Sequence, residues 1–360
     1  MPSGKSGNSK RTPDMNIRQV AEKAGVSVAT VSRVMNHPES VAPETKKKIE
    51  TVIEEMGYTP NWFARGLNFN KTGTIGIMIP NVLNPAHMEV AKGAEDVAHQ
   101  KDYTTFMCNV ENEVEKEKKY VSDLIKRKVD GIVLISSLLE NDYLDNIVKQ
   151  GVPLVSIGEN KTASTDIPVV RLDYRLAAYK AAKHLLEIGY RDIAMIYGST
   201  PEIENTRKIE GYKDALKEFS VSINNEYILK AENAIEDGYL SGKKMIEMKN
   251  RPRAIFATSD LLALGIMDAM RDNEIRIPDD MAVVGFDNIR MSNLITPKLT
   301  TVEKPMHKMG VIGARVLFDL IENEEHKNGH KIEPPKEILL QSKLKIRKSC
   351  GHKDRIGEMF

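Results

Sequence analysis

The chain lacks the patterns that mark several large functional classes. It has 2 cysteines in 360 residues, Cys108 and Cys350, with no Cys-x-x-Cys pair and no histidine cluster near either. That excludes a disulfide framework and a regularly spaced zinc site, and it suits a reducing compartment. No apolar run approaches the roughly 20 residues needed to span a bilayer. The first ten residues are polar, with no apolar segment of a secretion signal, so a cytoplasmic location is expected. The N-x-T sequons at Asn70 and Asn160 then carry no meaning. Catalytic signatures are missing too: there is no GxGxxG, HExxH or GxSxG, and Gly4-Lys5-Ser6 has no strand before it and a misplaced second glycine. No enzyme, cofactor or metal is expected.

What is present is uneven. The formal net charge is only +1, but residues 1–71 carry eleven Lys/Arg against seven Asp/Glu, a balance of +4, while the remainder carries −3. A basic head on a mildly acidic body suits contact with phosphates at one end. The length suits two or three domains. Residues 1–14 are rich in Ser, Gly and Lys and read as a disordered tail. From Ile17 short helices follow. Val20, Ala21 and Ala24 mark the first; Ser27 caps a second, with Val28, Val31 and Val34 along it to Asn36. A third runs from Pro43-Glu44 to Met56, buries Ile49, Val52, Ile53 and Met56, and ends at Gly57. A short helical stretch covers Trp62 to Leu67.

After Gly73 near-continuous Val/Ile runs alternate with amphipathic helices. The runs include Thr74–Pro80, leading to a helix over Met88–Gln100, then Tyr103–Asn109, Gly131–Ser136 and Val152–Ile157. Ile193–Tyr197, Ala254–Thr258 and Ala282–Phe286 form a second series. This rhythm predicts two doubly wound lobes with parallel sheets covered on both faces and a cleft between them, with one large sheet as the alternative.

The most specific pattern is Val20-Ala21-x-x-Ala24-Gly25-Val26-Ser27-Val28-Ala29-Thr30-Val31-Ser32-Arg33-Val34. Ala21 lets two helices cross closely, Gly25 permits a tight turn, and Val26 and Val31 pack the second helix on the first. Ser27, Val28, Ala29, Thr30, Ser32 and Arg33 are left on the open face. A helix presented in this way fits the major groove with its N-terminal end towards the bases. Arg33 can donate two hydrogen bonds to guanine, and the hydroxyls suit phosphate oxygens.

Val-Ser-Val-Ala-Thr-Val-Ser-Arg-Val-Met-Asn resembles the signature of the lactose/galactose repressor (LacI/GalR) family of bacterial transcription regulators. Its companions are Gly57-Tyr58-x-Pro60-Asn61 and Ala64-Arg65-x-Leu67, and the similarity runs from Ile17 to about Arg347. The resemblance implies a helix-turn-helix head and a periplasmic-binding-protein-like body. The DNA-binding set becomes Ser27, Val28, Ala29, Thr30, Ser32, Arg33, Asn36, Asn61, Ala64 and Leu67, with Val28 and Ala29 reading bases. The resemblance also implies that Ala64–Leu67 is a hinge helix whose Leu67 wedges into the minor groove. A pseudo-palindromic operator with a central CpG step, read by a homodimer, is the matching partner.

The implied organisation is a tail over 1–14, the helix-turn-helix over 15–59, and hinge and linker over 60–73. An N-terminal lobe takes 74–173 with 304–335, a C-terminal lobe takes 174–303 with 336–350, and 351–360 form a flexible tail. Polar residues at strand ends suit a ligand cleft. The resemblance selects Asp287 in Gly285-Phe286-Asp287-Asn288, Asp260, His87 where the family commonly has an aromatic, and Lys208 where it normally has Arg. With Asn109 and Asp173 these form the candidate effector site. The expected function is a repressor of carbohydrate-metabolism genes controlled by a small sugar-like effector. Two alternatives stay open. One is a catabolite-control regulator with a phosphoprotein corepressor, since Pro305-Met306-His307-Lys308-Met309-Gly310 to Arg315 resembles that stretch, with His307-Lys308 in place of Tyr-Asp. The other is a cytoplasmic sugar-binding module without DNA function.

Overall fold

The computed structural model describes residues 16–36, 38–58, 71–159, 167–198, 202–232, 234–325 and 335–352. The expected tail over 1–14, nearly all of the expected hinge over 60–73, and 353–360 lie outside it. The chain forms two compact units that meet between Thr72 and Gly73.

In the first unit, α1 (Ile17–Ala24) is capped by Asn16, whose side chain accepts from the Arg18 and Gln19 amides at 3.0 and 3.2 Å. Gln19 returns the favour by accepting from the Asn16 amide at 3.0 Å, a reciprocal cap. Gly25 then turns the chain with φ 64°, a left-handed conformation that a Cβ would strain. Next come α2 (Val28–Asn36) and α3 (Pro43–Met56). Val20, Ala21, Ala24, Val31, Val34, Ile49 and Val52 form the shared core. Ile53 and Met56 pack only partly against it.

The second unit runs β1 (Thr74–Ile79), α4 (Pro85–Gln100), β2 (Thr104–Asn109), α5 (Val114–Lys126), β3 (Gly131–Ile135), α6 (Asn141–Lys149), β4 (Leu154–Ile157) and β5 (Val169–Leu172). It continues with α7 (Tyr174–Glu187), β6 (Ile193–Tyr197), α8 (Glu202–Glu218), β7 (Ile228–Lys230), α9 (Ile235–Glu247), β8 (Ala254–Ala257), α10 (Asp260–Asp272) and β9 (Ala282–Asp287). The last elements are β10 (Thr300–Glu303), α11 (Met306–Glu325), β11 (Glu337–Leu340) and β12 (Lys343–Lys345). Two six-stranded sheets result, ordered β11-β5-β4-β3-β1-β2 and β12-β10-β9-β8-β6-β7. The Val/Ile-rich β3 and β4 are buried along their whole length, as strands with helices on both faces must be.

Three details differ from expectation. Helix α4 starts at Pro85 rather than Met88, because Asn84 Oδ1 accepts from the Ala86 amide at 3.0 Å and proline suits a first helical position. The second sheet is not wholly parallel, since β12 pairs antiparallel with β10. The last crossing between the sheets falls after Leu340, not at 335/336. β11 pairs parallel with β5 from Glu337 to Leu340, and its alternating Ile338 and Leu340 pack on the first lobe's core. The earlier crossings follow Leu172 and Glu303.

Candidate nucleic-acid interface and ligand cleft

Helix α2 divides cleanly into two sides. Val31 is 0% exposed and Val34 5%, both turned into the head's core. Ser27 starts the helix: its Oγ accepts from the Thr30 amide at 3.1 Å and lies 2.8 Å from Thr30 Oγ1. Ser27, Ala29 and Arg33 are exposed, Val28 is 40% exposed, and Thr30 and Ser32 are half-buried. Exposed Val28, Ala29 and Arg33 leave α2 with both apolar and charged side chains open to solvent. The Asn36 side chain and residues Asn61, Ala64 and Leu67 lie outside the described residues.

A cavity of about 180 Å³ opens in the second unit, walled by residues of both lobes. The first lobe contributes Asn81, Asn84 and His87 after β1, and Ser136 after β3. Glu204, Lys208, Ser259 and Asp287 come from the second, and Lys304 from the strand that leaves it. All sit at strand carboxyl ends or in the helical turns that follow, as open α/β sheets dictate. His87 Nδ1 lies 3.3 Å from the Asn81 carbonyl. Burial, helped by Lys304, pushes its imidazole down to about 4, so it is neutral near pH 7. Burial pushes the Asp287 carboxyl up to about 7, with Lys304 opposing. Asp287 itself has φ 112°, held in an unusual backbone conformation at the cavity wall.

Lys208 is 2% exposed. Its Nζ donates to Glu204 Oε1 at 2.7 Å and to the Thr258 carbonyl at 3.4 Å. It also lies over the Phe286 and Tyr174 rings at 4.6 and 5.2 Å. Glu204, 2% exposed, keeps its second oxygen, Oε2, without a hydrogen-bond partner. The Tyr174 phenol comes near Glu204 but does not reach hydrogen-bonding geometry. Burial opposes the ionisation of Glu204, but Lys208 and Lys304 outweigh it and hold the carboxyl below its ordinary value.

The structure therefore brings His87, Lys208 and Asp287 into one cavity and leaves three expected residues out of its wall. Asn109 shapes the neighbouring turn, accepting from the Val82 amide at 3.3 Å and donating to Glu111 at 3.3 Å. Asp173 caps α7, accepting from the Leu176 amide at 2.9 Å. Asp260, 0% exposed, accepts from Thr301 Oγ1 at 2.6 Å, from the Ile289 amide at 2.9 Å and from the Ser292 hydroxyl. Gly285 makes this possible, because a Cβ there would collide with Asp260 Oδ1. Glu204 and Lys304 were not expected. Glu204 sits one helical turn before Lys208, the i,i+4 spacing of an ordinary solvent-facing ion pair.

A family model for bacterial regulatory proteins, lacI family, matches residues 16–61, and one for a periplasmic binding protein-like domain matches 182–350. Catabolite control protein A of Priestia megaterium is 35% identical over 312 residues, covering 86% of this chain and 94% of that protein. The structure of a LacI family transcriptional regulator from Enterococcus faecium with bound ribose has a TM-score of 0.69 at 28% identity. It covers 77% of this chain and 98% of that one. The lac repressor dimer bound to operator and an anti-inducer shares the fold, with a TM-score of 0.81 at 23% identity over 93% of this chain and 99% of that one.

Proposed function

Because the chain belongs to the LacI family of bacterial regulatory proteins, we propose that this DNA-binding transcription regulator represses carbohydrate-metabolism genes from a pseudo-palindromic operator. It binds as a homodimer, since a two-fold site needs a two-fold reader. A sugar-like ligand in the cleft changes the angle between the lobes and so changes operator affinity. The observation that carries the reading is the outward face of α2, where Val28, Ala29 and Arg33 are exposed while Val31 and Val34 anchor the helix behind them. Operator-like DNA should be retained with strong salt dependence by the full chain and lost by a chain without residues 1–71. Equal retention by both would overturn the proposal.

The dimer contact is supported by a hydrophobic surface on the second lobe. Leu240 is 64% exposed and Leu294 72%, and a groove on the same lobe is lined by Ile235, Leu264, Met267, Ile275 and Ile277 together with Asp268 and Arg271. Exposed apolar surface of this kind marks association. Leu240→Glu with Leu294→Glu is expected to convert the dimer into a monomer in sedimentation and to weaken operator binding at least tenfold. A variant that stays dimeric places the contact elsewhere.

Asp287 supplies a pH test of the cleft. Ligand hydroxyls donate to its ionised form, so binding favours loss of its proton. With the free carboxyl near 7, effector affinity should rise roughly tenfold from pH 6 to pH 8. Asp287→Asn should weaken binding and flatten that rise in calorimetric titrations; an unchanged pH profile removes Asp287 from the site. In the corepressor reading, the exposed His307 and Lys308 at the start of α11 would meet a phosphoprotein instead, and sugars would leave operator affinity unchanged.

A further inference from the structure

Lys208 stands in the cleft wall with its charge already answered from within the protein. Glu204 and the Thr258 carbonyl take its hydrogen bonds, and two aromatic rings lie against its ammonium. A buried ammonium without such a partner would draw in a carboxylate or phosphate from a ligand. Here Glu204 occupies that counter-ion position, one turn earlier on α8.

What the pair shows to the cavity is the reverse of an anion site. Glu204 lines the cavity, and its Oε2 is buried without a hydrogen-bond partner beside the equally unpartnered Tyr174 phenol. With the Lys208 ammonium held by Glu204 Oε1, the pair offers no free cation to a phosphate dianion or a sugar carboxylate, neither of which has a proton to give. The described lining residues carry three carboxyls (Glu204, Glu232 and Asp287) against two ammoniums (Lys208 and Lys304). Among the described lining residues no Phe, Tyr or Trp stands, and His87 supplies the one aromatic ring beside a majority of hydrogen-bonding side chains.

Resting on the reading of this cleft as the effector site, we propose that Glu204 is a specificity-determining residue. It neutralises Lys208 from inside the protein and restricts the cleft to neutral, hydroxyl-rich ligands, closing it to phosphorylated and carboxylated sugars.

The test uses the full chain and paired compounds: ribose beside ribose 5-phosphate, and glucose and cellobiose beside glucose 6-phosphate and gluconate. Binding is read by calorimetry and by the shift of the thermal midpoint. In the natural chain a neutral compound should bind, with its acidic counterpart at least tenfold weaker. Glu204→Gln keeps an acceptor for Lys208 but removes the charge, and should raise the acidic-to-neutral affinity ratio at least tenfold. If that variant proves too unstable to titrate, Glu204→Ser removes the same charge in a smaller side chain and should also raise the ratio. An unchanged ratio in the variant that folds overturns the assignment of Glu204. A phosphorylated sugar that binds the natural chain best and alters operator affinity also overturns it, while leaving the effector reading intact. Absence of binding by every compound overturns both.

Discussion

Arg33→Ala is expected to remove most of the preference for operator over unrelated duplex DNA while leaving the head folded. Arg33 is exposed on α2, so its removal should change stability by no more than about 0.5 kcal/mol. A guanidinium paired to a guanine edge contributes about 1–3 kcal/mol of discrimination per half-site, roughly 5- to 150-fold, and a dimer reads two half-sites. The fall should appear in the ratio of operator to non-operator affinity. The salt slope should change little, because a base contact releases few counterions. Parallel weakening on all sequences, with a shallower slope, would make Arg33 a phosphate contact. An unchanged ratio would end its assignment as a base reader.

The head was legible because its signals are local. Gly25 has a conformational reason to be glycine, and Val31 and Val34 recur at the spacing that turns one helical face inward. The parallel sheets were legible because only strands covered on both faces tolerate unbroken Val/Ile runs. The cleft was only partly legible. Asp260 lies just after β8 and Asp287 ends β9, so the two look alike in sequence. One lines the cavity and the other does not, because the donors that claim Asp260 lie 32 and 41 residues further along, at Ser292 and Thr301. Glu204 was illegible for the opposite reason. A Glu–Lys pair four residues apart on a charged helix normally lies in solvent, and this one is buried by the rings of Tyr174 and Phe286 from two other elements. The lobe placement of 336–340 was not legible because the pairing of Glu337–Leu340 with β5 leaves no mark on so short a segment.

The same contrast sets the second large effect: Asp260→Ala should act on stability, not on ligand choice. The Asp260 carboxylate ties together the Ile289 amide, the Ser292 hydroxyl and the Thr301 hydroxyl of β10. Burial pushes its carboxyl up to about 6 even though all three donors pull it down, so the network holds a costly group in place. Alanine would leave three buried donors unanswered and a void beside Gly285. Each unsatisfied group costs about 1–3 kcal/mol, and relaxation recovers part of the sum, so a loss of about 3–5 kcal/mol is expected. That corresponds to a fall of roughly 10 °C in thermal midpoint for a unit of this size. Asp260→Asn, which keeps one acceptor, should lose less. Both variants should bind the same ligand class as the natural chain below their midpoints, because Asp260 does not line the cavity. A variant with an unchanged midpoint and a lost effector response would instead put Asp260 in contact with the ligand, and the buried network would have to open when the cleft fills.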